Sequence, residues 1–400
     1  MTTSTRGEDH ASPPSRRAAA WAATMAGHHG DLNGQQVAVR VAHADSARSA
    51  PSASIAAREV REEAEQDWLS PTATRSVDAG TRHIDEPPDP LRTCFERDRD
   101  RILHGTAFRR LAGKTQVVIF PDDHQRTRLT HALEVAQVAT AIARACRLNV
   151  ALTEAIALGH DCGHGPGGHA SEDAFGPYLD EGYDHAVWGA DVVLGPLNLC
   201  LPTLDGIRNH SWSRPAPATP EGEAVSWADR IAYVCHDFED AVHAGIVTPA
   251  MLPEVVRERC GDRRSGQLHA FIGGVVDAYA HTGHVSMVEP LAEALSAFRA
   301  FNYECIYMRP SSIAQSESII RVLRSLVEFY ADRPNTLQFD GHDGAMSPTC
   351  HGDVAAGGTE AIRDAVTYVA GMTDRYAFTM AIDHLGWDRS SLPLGVDWRR

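Results

Sequence analysis

The sequence of 400 residues contains no apolar run near the length of a membrane-spanning helix, and its start, MTTSTRGEDH, lacks the apolar stretch of a signal peptide. Positive charge is also scarce, since 37 Lys and Arg against 53 Asp and Glu give a net charge of −16. An acidic chain has no general attraction for nucleic acid or for an anionic membrane. These absences predict a cytoplasmic protein without membrane or nucleic-acid partners, in which any polyanionic ligand is held by a local pocket or a metal.

Paired cysteines of the CxxC type are absent too. The eight cysteines are scattered along the chain, at positions 94, 146, 162, 200, 235, 260, 305 and 350. This spacing favours reduced thiols in a cytosolic protein over a disulfide framework or a thiolate zinc site.

Strand-like alternation is almost absent, and helical periodicity predicts an all-α fold. A helical segment from Asp98 is expected to end at Gly113. Thr130 is predicted as the N-cap of the next helix, and Thr153 as the N-cap of the one after it. The first of these two helices carries an apolar stripe formed by Leu133, Val135, Val138, Ile142 and Cys146. Further helices are predicted over 223–246, 266–281, 286–302, 311–333 and 359–384, with loops at 215–222 and 341–358.

A change in composition predicts the domain organisation. Residues 1–63 are rich in Ala, Ser, Arg and Gly without a sustained period, which predicts a disordered extension, although 54–69 is weakly helical. Residues 64–400 form the predicted domain, with a core at about 126–245 and a helical C-terminal part at about 246–400.

Four side chains suited to metal binding follow one another in a distinctive order: His131, the adjacent pair His160 and Asp161, and Asp229. Each lies on a predicted helix or at its end, where a helix terminus can turn both members of the pair toward one ion. Two imidazoles and two carboxylates suit Mn, Fe, Ni, Zn or Mg, with Mg²⁺ or Mn²⁺ favoured for a phosphate ester. Such an ion polarises a phosphoryl oxygen and lowers the pKa of water.

The neighbourhood of these four residues resembles the HD superfamily of phosphohydrolases, and within it the deoxyguanosinetriphosphate triphosphohydrolase-like branch. The matching segments occur in family order and are RTCFERDRDRILHGTAFRRLAGKTQV (92–117), RTRLTHALEVAQVA (126–139), GHDCGHGPGGHASEDAF (159–175), WADRIAYVCHDFEDAVHAGI (227–246) and VAGMTDRYAF (369–378). The resemblance implies an HD-domain helical bundle with additional C-terminal helices, and it assigns the four residues above as metal ligands.

The resemblance also implies a reaction, the hydrolysis of a deoxynucleoside triphosphate to the deoxynucleoside and inorganic triphosphate. Water attacks the α-phosphorus, and the bond to the 5′ oxygen breaks. His169 matches the family's catalytic histidine, and Glu172 matches the carboxylate that orients it and raises its pKa. His164 and His185 match histidines that approach the phosphates.

Substrate contacts are implied in the same way. Arg128 matches an arginine that holds the α- or β-phosphate. Arg230 takes a phosphate contact for which relatives often carry Lys or Glu. Tyr233 is expected to pack against the sugar at C2′, where it excludes a ribose hydroxyl, and Asp237 to bond the 3′-hydroxyl. Gln116 is expected at the edge of the base or the sugar.

Two stretches depart from the family pattern and keep other functions open. Gly165 and Gly167 stand where relatives carry a proline and an aromatic residue, and DHAVWGADVV replaces polar family positions after His185. The reaction class is therefore expected to carry over better than the guanine preference. Alternatives are an HD-domain phosphatase or phosphodiesterase acting on another nucleotide, and a nucleotide-sensing HD protein without catalysis.

Members of the family assemble as symmetric homo-oligomers, so the resemblance implies a homo-oligomer here. The predicted helices at 286–330 would supply either an interface or ordinary core packing. Their apolar residues are Leu291, Leu295, Phe298, Leu323, Leu326 and Phe329.

Overall fold

The computed structural model describes residues 15–29, 39–43, 45, 54–117, 125–337 and 354–393. The chain forms two compact units, Met1–Ile55 and Ala56–Arg400. The first unit contains helix α1 (Arg16–Thr24) and an antiparallel pair of two-residue strands, β1 (His28–His29) and β2 (Arg40–Val41).

The second unit is helical, which confirms the all-α prediction. Its first helices are α2 (Arg58–Trp68), α3 (Ser76–Ala79), α4 (Cys94–His104), α5 (Thr106–Arg110), α6 (Arg128–Cys146), α7 (Val150–Gly159), α8 (Ala170–Phe175), α9 (His185–Trp188) and α10 (Leu201–Arg208). Its later helices are α11 (Pro220–His243), α12 (Glu254–Cys260), α13 (Arg264–Thr282), α14 (Glu289–Asn302), α15 (Pro310–Ala331), α16 (Thr359–Ala370) and α17 (Asp374–Leu385). Helix α2 confirms the helical stretch predicted at 54–69; the boundary predicted at residue 64 falls within it and stays a prediction.

Two apolar cores organise this unit. In the first, α6 packs against α7 and α11, and α4 packs against α7. In the second, α15 packs against α8, α16 and α17. Of the predicted stripe on α6, only Leu133 is exposed, at 47%; the other four residues are buried. The first core thus holds α6, α7 and α11 together, and these are the helices that carry the predicted metal ligands.

Both predicted N-caps are wrong by a few residues. Helix α6 is capped by Thr127. The backbone N–H of Thr127 donates to the Thr130 hydroxyl at 3.0 Å, so Thr130 is a residue of the first helical turn that bonds back to the cap. Helix α7 is capped by Asn149, whose Oδ1 accepts from the Leu152 N–H at 3.2 Å. Thr153 donates its hydroxyl to the Asn149 carbonyl at 2.9 Å. Each predicted cap is therefore a helical residue whose hydroxyl bonds within the first turns.

Other helix boundaries also differ from the sequence prediction. The segment predicted from Asp98 to Gly113 breaks at Gly105, whose extended backbone separates α4 from α5. The helix predicted at 359–384 is two helices, because the turn at Gly371–Thr373 separates α16 from α17. Pro220 already begins α11, so the loop predicted at 215–222 is shorter. Most of the loop predicted at 341–358 lies outside the described residues.

Among the residues that the structure describes, no helix is both long and apolar enough to cross a membrane. The seven cysteines within those ranges are free thiols. Of the six apolar residues proposed for an interface, Leu295, Phe298, Leu323 and Leu326 are buried in the cores. Core packing accounts for them, and the homo-oligomer stays a prediction.

Candidate active site

The four predicted metal ligands come from three packed helices. His131 lies in the first turn of α6, His160 and Asp161 follow the last residue of α7, and Asp229 lies within α11. Because α6, α7 and α11 pack against one another, these positions meet at one place.

The side chains converge closely. His131 Nε2 lies 3.1 Å from Asp229 Oδ1, and His160 Nε2 lies 3.7 Å from the same oxygen. Asp161 Oδ1 is 3.5 Å from His160 Nε2. Asp161 Oδ2 is 4.0 Å from His131 Nε2. All four predicted ligands are therefore brought together.

The donor set fits a divalent cation, as His160 shows. Its Nδ1 lies 2.7 Å from the Ala157 carbonyl oxygen, to which it donates its proton. Its Nε2, buried and without a hydrogen-bond partner among the described residues, therefore presents a lone pair toward two carboxylates. A buried, unpartnered acceptor of this kind is costly unless a cation or a donor meets it.

The charges of the cluster are mutually stabilised. Burial alone would raise the pKa of Asp161, but the positive charge of Arg128 outweighs it and holds the pKa well below its usual range. Burial would also raise the pKa of Asp229, but the hydrogen bond with His131 outweighs burial and the pKa is lowered. Both carboxylates are ionised at neutral pH and are available to bind a cation.

Arg128 lies at the first position of α6, and its side chain is buried. One guanidinium nitrogen donates to Asp161 Oδ2 at 2.6 Å. Its Nε and Nη2 atoms are buried without a hydrogen-bond partner among the described residues. Arg128 therefore keeps two donors for an incoming anion while one end is fixed to a predicted metal ligand.

A cluster of histidines adjoins the carboxylates. His164 Nε2 lies 3.2 Å from Asp161 Oδ1, and its ring stacks on His185 with a centroid distance of 3.7 Å. Glu172 Oε1 lies 2.6 Å from His185 Nδ1. The hydrogen-bonded partner of Glu172 is thus His185, where the sequence predicted His169. The reason is that Asp184 caps α9 and sets His185 at its first residue, facing α8.

His169 still belongs to this group, since ligand atoms of His164, His169 and Glu172 lie within 4.8 Å of one another. Its ring opens onto the cavity, yet protein atoms crowd around it. This desolvation, with Arg128 and His185 nearby, lowers the pKa of His169 to about 4, opposite to the predicted direction. A triphosphate beside the ring would shift that pKa upward again.

His210 is a site residue that the sequence analysis missed. It follows α10, its Nδ1 lies 2.7 Å from the Ile207 carbonyl oxygen, and its Nε2 lies 3.3 Å from His185 Nε2. It also lies within 4.8 Å of ligand atoms of His160 and Asp161. His160 is oriented in the same way, by the carbonyl three residues earlier at a helix end. That shared position after a helix was the available sequence signal.

On the other side of the metal cluster, α11 presents Arg230, Tyr233 and Asp237. The Tyr233 hydroxyl accepts from Arg230 Nη1 at 2.6 Å and from Arg299 Nε at 2.9 Å. Arg230 also lies over the Trp212 ring, 4.3 Å from its centroid. Two guanidinium groups thereby hold the Tyr233 hydroxyl at the cavity wall.

Asp237 is buried, and its Oδ2 accepts from the Tyr307 hydroxyl at 2.5 Å. Its Oδ1 has no hydrogen-bond partner among the described residues. Burial raises the pKa of Asp237 to about 7. The free oxygen is an acceptor suited to a ligand hydroxyl.

These side chains line a cavity of about 480 Å³, a volume suited to a nucleotide-sized ligand. Gln116 also lines it, and its buried Oε1 has no hydrogen-bond partner among the residues that the structure describes. Sequence reasoning missed Arg299, Tyr303 and Tyr307, which reach the cavity from α14 and the turn after it. No local pattern marks these three residues, because only the packing of α14 against α11 brings them to the site.

Comparisons with known proteins agree with this geometry. Residues 128–234 match the model of the HD domain, and residues 285–381 match that of the phosphohydrolase-associated domain. Three deoxyguanosinetriphosphate triphosphohydrolase-like proteins are similar to the chain, each over 80% of its length. The protein from Caldanaerobacter subterraneus subsp. tengcongensis is 40% identical to the chain, and the match covers 93% of that protein. The protein from Desulfatibacillum aliphaticivorans is 36% identical, with 96% of its length covered. The protein from Clostridium perfringens strain 13 is 37% identical, with 94% of its length covered.

Proposed function

Because the chain belongs to the deoxyguanosinetriphosphate triphosphohydrolase-like family of HD-domain phosphohydrolases, we propose that it hydrolyses deoxynucleoside triphosphates, dGTP among them, to the deoxynucleoside and inorganic triphosphate. One observation carries the proposal. The Asp237 oxygen and the Arg128 donors that have no hydrogen-bond partner among the described residues line one cavity, beside the four metal-type ligands. An acceptor for a sugar hydroxyl and donors for a phosphate thus flank the predicted metal site.

His131, His160, Asp161 and Asp229 would hold the cation. A divalent cation there, Mg²⁺ or Mn²⁺, supplies positive charge that polarises a phosphoryl oxygen and makes a water molecule more acidic.

The phosphates are held by cationic groups of the chain. Arg128 offers its two free donors beside Asp161, and Arg230 and Arg299 line the cavity further along. His185 contributes as well: burial alone would lower its pKa, but the hydrogen bond that it donates to Glu172 raises it. The raised pKa favours the cationic form of His185, and positive charge on this ring, which stacks on His164, would stabilise phosphate charge that develops in the transition state.

The 5′ oxygen leaves as an alkoxide unless a proton reaches it. His169 lies on the opening of the cavity beside His164, with ring centroids 4.9 Å apart, and is the proposed source of that proton. Its low pKa in the free protein means that the triphosphate itself must raise the pKa before the ring can act as an acid. Substrate binding and protonation of His169 are therefore coupled.

Selection of the sugar is assigned to Tyr233 and Asp237. The Tyr233 ring, fixed by two arginines, would pack against C2′ and leave no room for a ribose hydroxyl. Asp237 Oδ1 would accept a hydrogen bond from the 3′-hydroxyl. A buried polar group left unpaired by a substrate lacking that hydroxyl lowers affinity strongly.

The test is product analysis of the purified protein with Mg²⁺ or Mn²⁺, each of the four dNTPs, GTP and a dideoxynucleoside triphosphate. We expect inorganic triphosphate and deoxynucleoside from dNTPs, and much slower turnover of GTP and of the dideoxy analogue. A variant with His160→Ala and Asp161→Ala is the inactive control. Orthophosphate as product, or no turnover of any dNTP, would redirect the assignment to another nucleotide or to a sensor.

A further inference from the structure

We propose that Asp374, the first residue of α17, is the positioning residue that holds the loop of residues 162–169, here called the catalytic loop, against the phosphate side of the site. The proposal rests on the proposed function only for its kinetic readout. Asp374 is far from the site in sequence, and direct hydrogen bonds connect its carboxylate to the site.

The Asp374 side chain is buried, and both of its oxygens accept hydrogen bonds. Its Oδ1 accepts from the Gly167 N–H at 2.9 Å. Its Oδ2 accepts from the Thr115 N–H at 2.9 Å and from the Thr115 hydroxyl at 2.5 Å. One carboxylate therefore joins the catalytic loop to the segment that precedes Gln116.

Lys114 makes a second connection at the same place. Its buried ammonium group donates to the His164 carbonyl oxygen and, at 3.0 Å, to the Ala370 carbonyl oxygen of α16. The Lys114 carbonyl oxygen accepts from the Arg128 N–H at 3.2 Å, at the start of α6. Lys114 and Asp374 thus tie α6, α16, α17 and the catalytic loop into one assembly.

The catalytic loop lies so near Arg128 that its position must be set accurately. A Cβ at Gly168 would lie 2.5 Å from Arg128 Nη2 and 3.1 Å from the Thr115 carbonyl oxygen. The loop also carries His164 and His169, the two histidines on either side of that contact. A displacement of the loop would therefore move both histidines relative to the guanidinium group that is proposed to hold a phosphate.

Charge placement supports a positioning role. Burying a carboxylate and an ammonium group is costly, and an apolar pair of similar volume would pack at lower cost. The position of Asp374 and Lys114 against the backbone of the catalytic loop gives these charges a role beyond packing. Asp374 lies within the segment that matches the phosphohydrolase-associated domain, so that domain would contribute directly to the geometry of the site.

The test compares Asp374→Asn with Asp383→Asn, an exposed position on the same helix. Asparagine offers one oxygen, and its amide group would face either the Gly167 or the Thr115 donor, so one connection is lost. We expect kcat for dNTP hydrolysis to fall by about 10- to 100-fold, with KM and the affinity for Mn²⁺ nearly unchanged. Hydrogen exchange should become faster at residues 162–169 and stay unchanged in α6 and α7. Thr115→Val, which removes only the hydroxyl donor, should give a smaller effect in the same direction.

Unchanged exchange and unchanged kcat in Asp374→Asn would overturn the proposal. Equal losses of kcat, Mn²⁺ affinity and thermal stability would also overturn it, because they indicate general unfolding of the site. If the wild-type protein does not hydrolyse dNTPs, the proposed function fails, while the exchange measurement still decides whether Asp374 holds the loop.

Discussion

Glu172 and His185 form the closest contact between a carboxylate and an imidazole in the histidine cluster, with 2.6 Å between Oε1 and Nδ1. A carboxylate only accepts, so His185 donates its Nδ1 proton, and its Nε2 faces His210. The contact holds the His185 ring at a fixed orientation over His164.

The first prediction concerns this contact. Glu172→Gln keeps the shape of the side chain and removes its charge, so His185 loses the partner that favours its cationic form. We expect kcat to fall by about 100-fold, because a charge-assisted contact at the proposed phosphate site is lost. Steady-state kinetics measure the effect against Asp173→Asn, the exposed next residue of α8. A Glu172→Gln protein with wild-type kcat would contradict the assignment.

The second prediction concerns His210. Removing the imidazole in His210→Ala leaves His185 Nε2 without its neighbour and opens space beside His160. We expect kcat to fall by about 10- to 100-fold, an effect typical of residues that orient ligands of a metal site. His281→Ala is the matched control, because His281 is exposed and its Nδ1 also lies near a backbone carbonyl oxygen, that of Asp277 at 2.6 Å. Similar kinetics for the two variants would remove His210 from the site.

The third prediction separates backbone strain from crowding. Gly168 and Gly182 both have positive φ, +65° and +74°, but only at Gly168 would a Cβ meet Arg128. Gly182→Ala should cost about 1–2 kcal/mol of folding free energy and leave kcat unchanged. Gly168→Ala should cost more folding free energy, because the new Cβ would collide with Arg128, and it should also lower kcat. Thermal unfolding and kinetics measured together test this, and equal behaviour of the two variants would show that the close approach to Arg128 has no consequence.

The fourth prediction is a pH dependence of stability. Burial raises the pKa of Asp237 to about 7, so the folded protein keeps a proton there over a range in which the unfolded chain has lost it. Stability therefore falls as the pH rises from about 4 to about 7, and the full cost persists above that range.

Asp237→Asn removes this titration. The difference in Tm between the variant and the wild type should be near zero at about pH 4 and should reach a few degrees in favour of the variant above about pH 7. KM for dNTPs should rise in the variant, because the amide oxygen would accept from the Tyr307 hydroxyl and the amide NH₂ group would replace the proposed acceptor for the 3′-hydroxyl. Asp277→Asn, at an exposed position, should show a flat difference in Tm. A flat difference for Asp237→Asn as well would contradict the raised pKa.

Helices such as α6 were predictable because they bury an apolar face, and the stripe of Val135, Val138 and Ile142 shows that periodicity directly. The helix ends were not predictable, because Thr127, Thr130, Asn149 and Thr153 are all of residue types that cap helices. Which one caps the helix depends on where the preceding chain enters. The break at Gly105 was not predictable either, because glycine is tolerated within a helix. The extended backbone of Gly105 is fixed here by the packing around it.

The four metal-type residues could be singled out because the segments around them resemble the HD superfamily, whereas their order and adjacency alone are a weak signal. Arg299 was not predictable, since it reaches the site only through helix packing. His210 offered a single signal, its position directly after a helix, which it shares with His160. Asp374 lies in a segment that was recognised as matching the family, VAGMTDRYAF, but nothing in that segment indicates that its carboxylate reaches residues 207 and 259 positions away. The pairing of Glu172 with His185 in place of His169 likewise depends on the approach of α9 to α8.

The central claim is that water attacks the α-phosphorus and that the bond to the 5′ oxygen breaks. Hydrolysis of dGTP in ¹⁸O-labelled water, followed by mass spectrometry of both products, tests it most directly. The account predicts one ¹⁸O atom in the inorganic triphosphate and an unlabelled deoxynucleoside. Label in orthophosphate, in pyrophosphate or in the deoxynucleoside would contradict it.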